Sequence, residues 1–307
     1  MKLRWAVCGT GRMAEKFLNV LLGLKKDVTA IISADLNRAK DFATKKGISN
    51  YYSYQDVDFE KFDIVYVATL NKCHKPDSIL FINNHKSVLC EKPIAVTLDE
   101  LNEMRQSAKD NNTLLMEAMW TAFLPAIEKV KELIASGEIG KVVHLDSRFC
   151  IEVFDPKSRI YDSYGGGALL DVGIYNLHFA KLILDDFVEI KAFYQHNEAG
   201  VDMTDNLIIR NSKGISANLV SSVRFKAPAD AVIYGEKGKI TVPDFFKASE
   251  VILENQQGKK IFSYPPIISG YEYEIEHFEK LHIQGKKQSD IVSFDDSYEI
   301  LKIMQKR

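Results

Sequence analysis

Leu3-Arg4-Trp5-Ala6-Val7-Cys8-Gly9-Thr10-Gly11-Arg12-Met13-Ala14 is the stretch on which the reading of the fold turns. An apolar run over residues 3–8 predicts a strand, and residues 14–22 carry the spacing of a helix. Between them Gly9-Thr10-Gly11-Arg12-Met13-Ala14 fits G-x-G-x-x-A. The first glycine permits a tight turn, the second lets backbone approach a pyrophosphate, and Ala14 keeps the helix close to the strand. The helix N-terminus then faces an anion. A glycine turn alone is weak evidence of a nucleotide site, but its place at the head of a β-α-β run strengthens it.

Outward from this stretch, strands over 28–33, 64–69 and 87–90 alternate with helices over 38–46, 77–83 and 98–109, with one more strand near 113–116. Regular alternation of this kind implies a parallel sheet covered on both faces. After Phe123 the pattern changes. Helices over 126–135 and 168–184 accompany strands with period-two alternation over 142–153, 189–196, 206–211, 215–225, 229–234 and 251–254. Helices over 275–284 and 297–305 close the chain. The expected fold class is α/β, with a Rossmann dinucleotide-binding domain over 1–120 and an α/β domain over 121–307 built on a large, mostly antiparallel open sheet.

The 307 residues are 46% hydrophobic and carry a formal net charge of −2, so a sizeable core is expected and a nucleic-acid partner is not. The opening residues run straight into a strand, which leaves no room for a cleavable signal peptide, and no stretch approaches a membrane span. Cys8, Cys73, Cys90 and Cys150 are scattered and lack metal-ligand spacing. They read as reduced thiols of a cytoplasmic protein, with no metal and no membrane partner.

The residue at the end of the second strand sets the nucleotide, because an acid there accepts from a ribose 2′-hydroxyl and repels a 2′-phosphate. If Ser33 holds that position, Arg12 or Arg38 can reach a phosphate. If Asp35 holds it, the reading reverses. The balance favours NADP, with NAD as the alternative.

Two residues carry the chemistry. Lys92 follows a strand of the parallel sheet in Cys90-Glu91-Lys92-Pro93, at the carboxyl end where ligands bind in such folds. Pro93 restricts the direction of Lys92, and a cis bond there would do the same. Tyr175 lies in Gly165-Gly166-Gly167-Ala168-Leu169-Leu170-Asp171-Val172-Gly173-Ile174-Tyr175, where a glycine run opens a helix. On an ideal helix Asp171, Tyr175 and His178 share one stripe, and such titratable side chains are costly to bury without a purpose. A tyrosine can exchange a proton with a substrate oxygen if its pKa of ~10 is lowered. A lysine charge within ~4 Å contributes ~4 kcal/mol at an effective dielectric of ~20, enough for up to ~3 units before desolvation.

At these motifs the chain resembles the Gfo/Idh/MocA oxidoreductase family over nearly its whole length. Met116 to Thr121 and Gly270 to Glu274 are similar, more narrowly, to the branch holding dimeric dihydrodiol dehydrogenases and NADP-dependent xylose dehydrogenases. The resemblance implies Lys92 and Tyr175 as catalytic pair with Asp171 beside them and Trp120 and Phe154 lining the substrate pocket; with His178 of the polar stripe, the expected substrate-binding set is Trp120, Phe154, Asp171, Tyr175 and His178. It also implies a substrate between two domains and a homodimer formed through the C-terminal sheet. The expected cofactor contacts are Gly9, Thr10, Gly11, Arg12, Met13, Ala14, Ser33, Arg38, Thr69, Asn71, His74, Glu91 and Lys92. Many relatives carry histidine where this chain, like the branch, has Tyr175; the chain departs at Ala34, where the branch often has an arginine that would clamp a 2′-phosphate, and at Leu70, where proline is common.

The function expected is NAD(P)-dependent dehydrogenation or reduction of a small-molecule sugar, polyol or cyclic diol. Two alternatives are a nucleotide-binding sensor without turnover and an NAD-dependent glycoside hydrolase.

Overall fold

The computed structural model describes residues 2–155 and 157–307, and the chain divides into two compact units, 1–119 with 267–301 and 120–266 with 302–307. In the first unit, β1 (Arg4–Cys8), α1 (Arg12–Gly23), β2 (Asp27–Ile32), α2 (Leu36–Lys46), β3 (Asn50–Tyr52), β4 (Ile64–Val67), α3 (His74–Asn83), β5 (Ser87–Glu91), α4 (Leu98–Asp110) and β6 (Leu115–Ala118) follow in order. The strands form one six-stranded sheet, β3-β2-β1-β4-β5-β6, and all its pairings are parallel. β4 and β5 are buried along their whole length and β1 along all but its first residue, as a sheet covered on both faces requires. The reversal of strand order falls at β1 and β4, so the loops after Cys8 and Val67 flank the switch point where ligands bind in open sheets.

The second unit holds α5 (Pro125–Ala135), β7 (Val142–Cys150), α6 (Ile174–Leu184), β8 (Glu189–His196), β9 (Asp202–Arg210), β10 (Ser216–Ser222), β11 (Ala231–Gly235), β12 (Gly238–Val242), β13 (Glu250–Asn255) and β14 (Gly258–Ser263). They make an eight-stranded sheet, β14-β13-β12-β11-β7-β10-β9-β8, antiparallel except where β7 meets β10. Alternation along β10 buries Ala217, Leu219 and Ser221 and exposes Asn218. Ser222, two pairs along the strand from Asn218 on the same alternation, is nonetheless buried, and its hydroxyl lies 2.8 Å from Thr204 Oγ1.

Two further helices, α7 (Tyr271–Ile283) and α8 (Phe294–Met304), complete the chain. The 121–307 expectation differs here, since residues 267–301 belong with the Rossmann sheet. Phe278 of α7 meets Trp5 at 5.7 Å between ring centroids, Tyr271 meets Phe17 at 6.2 Å, and Trp5 Nε1 donates to Glu279 at 2.9 Å. Burial of these rings outweighs proximity in sequence. Both helices begin earlier than periodicity suggests. Glu272 accepts from the backbone N–H groups of Ile268, Ser269 and Gly270, and Ser293 with Asp296 forms a reciprocal cap. The strands missed by pattern, β3, β12 and β14, are short or lie largely in solvent. Cys8, Cys90 and Cys150 are buried free thiols, and no helix among the described residues is long and apolar enough to cross a membrane.

Candidate active site

In the first unit the site begins at the turn between β1 and α1. Gly9 has φ +114°, and a Cβ there would stand 2.5 Å from Ala68 O, so only glycine lets the loop lie against the end of β4. Gly11 is the N-cap of α1, with no side-chain cap, and a Cβ built on it would meet nothing within 4 Å. The α1 N-terminus therefore keeps its backbone donors aimed at open space, which fits the anionic group of a dinucleotide. Arg38 lies beside this opening, its Nη2 donating to Thr10 Oγ1 at 3.0 Å. Arg12 is exposed on the same helix end.

Ser33 and Asp35 stand in different local settings. Asp35 is the N-cap of α2, and its carboxylate accepts from Asn37 N (2.8 Å) and Arg38 N (3.2 Å). It is thus engaged by its own helix, while Ser33 is buried directly after β2.

The loop after β4 and the turn after β5 are tied together by one histidine. His74 is fully buried; its Nδ1–H donates to Pro93 O at 2.8 Å, and its Nε2 lies 3.3 Å from Thr69 O. Thr69 Oγ1 in turn donates to Asp77 at 2.7 Å, and burial pushes the Asp77 carboxyl up. The Lys92–Pro93 peptide is cis, and Ile94 N donates to Glu117 Oε1 at 3.0 Å. Glu117 Oε2 accepts from Ser297 Oγ at 2.6 Å, and Glu91 accepts from the Tyr66 hydroxyl. Lys92 thus projects from a turn held on both sides by buried hydrogen bonds. Asn71 is buried in the same loop.

In the second unit, Asp171 and Tyr175 lie on a helix that opens with a π turn, Leu169–Gly173, before α6. At 3.6 residues per turn, four residues overshoot a full turn by ~40°, and the wider π winding reduces that offset between Asp171 and Tyr175. The pattern of residue types does not show this bulge. Tyr175, only 9% exposed, accepts from Trp120 Nε1 at 3.4 Å. Phe149 and Phe246 stack at 4.1 Å and meet the Tyr175 ring edge-on at 5.5 and 6.0 Å. His178 is half-buried on α6. Phe154 stands apart: it is 78% exposed and makes no ring contact with this group among the described residues.

The glycine run that precedes the helix serves contacts from distant sequence. A Cβ on Gly166 would overlap Ile160 O, and one on Gly167, at φ +103°, would overlap Asp202 Oδ1. Gly166 N and Gly167 N donate to Asp162 O and Ile160 O, both at 2.8 Å, which staples the short turn Arg159–Tyr161 onto the helix start. Asp202 accepts from Leu169 N at 2.7 Å and pairs with Arg307 Nε at 3.0 Å. On the other side of α6, Asn176 accepts from Ser147 Oγ (2.5 Å) and donates to Val220 O (3.1 Å), while Gly173 lets Ser221 of β10 approach. Phe149, Phe246, Arg159, Asn176 and Asp202 were not singled out from sequence, because nothing local marks them.

Residues 3–119 match the family model described as an oxidoreductase family with an NAD-binding Rossmann fold, and residues 127–241 match the GFO/IDH/MocA C-terminal domain. The chain belongs to the Gfo/Idh/MocA oxidoreductases, NAD(P)-dependent enzymes of the dehydrogenase and reductase type. Among curated proteins it is similar to the trans-1,2-dihydrobenzene-1,2-diol dehydrogenase of Xenopus tropicalis, at 31% identity over 99% of this chain and 96% of that one. The Homo sapiens protein of the same name is 28% identical over the same shares. Among solved structures it is similar to a 3-ketoreductase from Actinomadura kijaniata in complex with NADP and TDP-benzene, at TM-score 0.89 and 24% identity over 99% of this chain and 96% of that one. An aldose-aldose oxidoreductase from Caulobacter crescentus complexed with glycerol gives TM-score 0.88 at 24% identity, covering 100% and 96% of the two chains. At that identity the two structures speak for the fold.

Proposed function

We propose that the protein transfers a hydrogen equivalent between a nicotinamide and a sugar, polyol or cyclic diol, with Lys92 and Tyr175 handling the proton. The observation that carries this reading is the Tyr175 hydroxyl, fixed at Trp120 Nε1 against the stacked Phe149 and Phe246 rings. These rings exclude water from the phenol and offer apolar surface to the carbon face of a ring substrate. When bound, the nicotinamide supplies the hydride donor or acceptor. Tyr175 gives a proton to, or takes it from, the reacting oxygen, and the Lys92 ammonium favours the phenolate. Asp171 orients the substrate hydroxyls. The curated relatives act, by name, on a 1,2-diol, which agrees in chemical class.

NADP is the favoured cofactor. Ser33 stands where an acid would repel a 2′-phosphate, Asp35 is engaged by α2, and Arg38 lies beside Thr10. A homodimer through the uncovered face of the eight-stranded sheet, where Phe193 and Ile208 are exposed, fits the same reading, as does a cytoplasmic location.

Incubating the protein with NADP or NAD and a panel of sugars and diols, while following absorbance of the reduced cofactor, tests the activity against the sensor and glycosidase alternatives. Tyr175→Phe is expected to leave nucleotide binding intact and lower turnover ~10²-fold or more. Lys92→Met should do the same, with the double variant little worse than either. Near-normal turnover in Tyr175→Phe sinks the assignment.

A further inference from the structure

The guanidinium of Arg159 has no role in the reading above. Its Nη2 donates to Asp171 Oδ1 at 2.5 Å, and that is its sole hydrogen bond among the described residues. The Arg159 side chain remains 39% exposed, whereas that of Asp171 is 11% exposed. An arginine carries five N–H donors in a planar fork, so one bond to a carboxylate leaves the rest of the fork to face outward. The backbone is built to put it there. Residues 159–161 form a short 3₁₀ turn with Ser158 as its N-cap, and Gly166 and Gly167 bond the carbonyls of Asp162 and Ile160. A side chain at residue 166 would collide with that turn. The cation is therefore placed beside Asp171 by the same glycine run that opens the helix bearing Tyr175.

We propose that Arg159 is a substrate-recognition residue that works with Asp171 to read two adjacent oxygens. A carboxylate only accepts, and a guanidinium only donates. Side by side they match a vicinal pair in which one hydroxyl donates to Asp171 and the neighbouring oxygen accepts from Arg159. The neighbouring oxygen can be a hydroxyl or a carbonyl, so the couple fits 1,2-diols, sugars with adjacent hydroxyls and the corresponding hydroxy-ketones. A simple alcohol engages one partner and leaves the other without a substrate contact, which is how a site rejects an analogue lacking a polar group. The inference rests on the proposed function, since it assumes that Asp171 and Tyr175 face the substrate.

The test compares trans-cyclohexane-1,2-diol with cyclohexanol as substrates for the wild type, Arg159→Lys and Arg159→Gln. The wild type should favour the diol in kcat/KM. Arg159→Gln should raise the KM for the diol tenfold or more, change the values for cyclohexanol less than threefold and so collapse the ratio, with Arg159→Lys in between. The NADP dissociation constant should stay within about twofold, and an unchanged melting temperature certifies the fold. Equal losses for both alcohols, or none, overturn the role of Arg159 alone. Absence of turnover of any hydroxylated compound by the wild type overturns the proposed function and this inference with it.

Discussion

Two helices in this protein start from glycine-rich turns, and they use glycine for opposite ends. At α1, Gly11 leaves the helix N-terminus uncapped and faces space that its missing Cβ does not fill. At the helix carrying Tyr175, Gly166 and Gly167 lie under other parts of the same unit, and Asp202 satisfies Leu169 N from β9. The first start is left open. The second is closed by the protein, so that side chains two turns further on are held in place. A helix end with spare donors invites an anion, while one already satisfied can be buried and made rigid.

The contrast is broken most directly by adding one methyl group to each. Gly167→Ala places a side chain at φ +103° and against Asp202, and should cost roughly 2–4 kcal/mol of stability, since it combines strain with loss of a buried cap. Chemical denaturation would show it, and an unchanged midpoint would mean the joint is looser than its geometry. Gly11→Ala meets no protein atom, so stability should stay within about 0.5 kcal/mol while the NADP dissociation constant rises about tenfold or more. Titration calorimetry reads the second quantity. If binding is untouched, the open space at α1 is not where the pyrophosphate lies.

Two smaller effects sharpen the same comparison. Asp205 is buried on β9 near Asp202, neither carboxylate oxygen has a hydrogen-bond partner among the described residues, and burial together with the Asp202 charge pushes its pKa up to about 9. An acid raised in the folded state favours folding most below its unfolded pKa of ~4, and that contribution is lost as pH climbs towards 9. Asp205→Asn should therefore flatten the fall in melting temperature between pH 5 and pH 9 and stabilise the protein at the alkaline end, by roughly 1–3 kcal/mol. A steeper fall would show that the carboxyl has a partner in solution. At the open start, Arg38→Ala should weaken NADPH about tenfold and NADH hardly at all, as expected for loss of one charge-assisted phosphate contact. Equal effects on both cofactors would place Arg38 away from the 2′-phosphate.

How much of this was legible in the sequence follows the same division. The G-x-G-x-x-A turn, the Lys92 turn after β5 and the parallel sheet are local in sequence, because one strand, one turn and one helix suffice to specify them. The polar stripe with Asp171 and Tyr175 was legible for the same reason, although the π turn that aligns the two residues was not. Phe154 was carried over from resemblance and stands largely in solvent, while Phe149 and Phe246 stack on each other and meet the Tyr175 ring. Phe149 sits in an alternating strand and Phe246 in a short turn, and neither pattern tells a site-lining ring from a core ring.

Sequence by itself therefore determined the two-part α/β architecture and the nucleotide turn, and it singled out the lysine and tyrosine as candidates, since each is written in neighbouring residues or in a period of two or 3.6. Tertiary structure alone decided the rest. It set α7 against Trp5, engaged Asp35 in a helix cap, put His74 between Thr69 and Pro93, brought Asp202 and Arg159 to the helix of Tyr175, and set Ser147 and Val220 against its Asn176. The reason is physical: a hydrogen bond or ring contact between residues far apart in the chain depends on where the sheets bring their loops, and nothing in the flanking sequence records the partner.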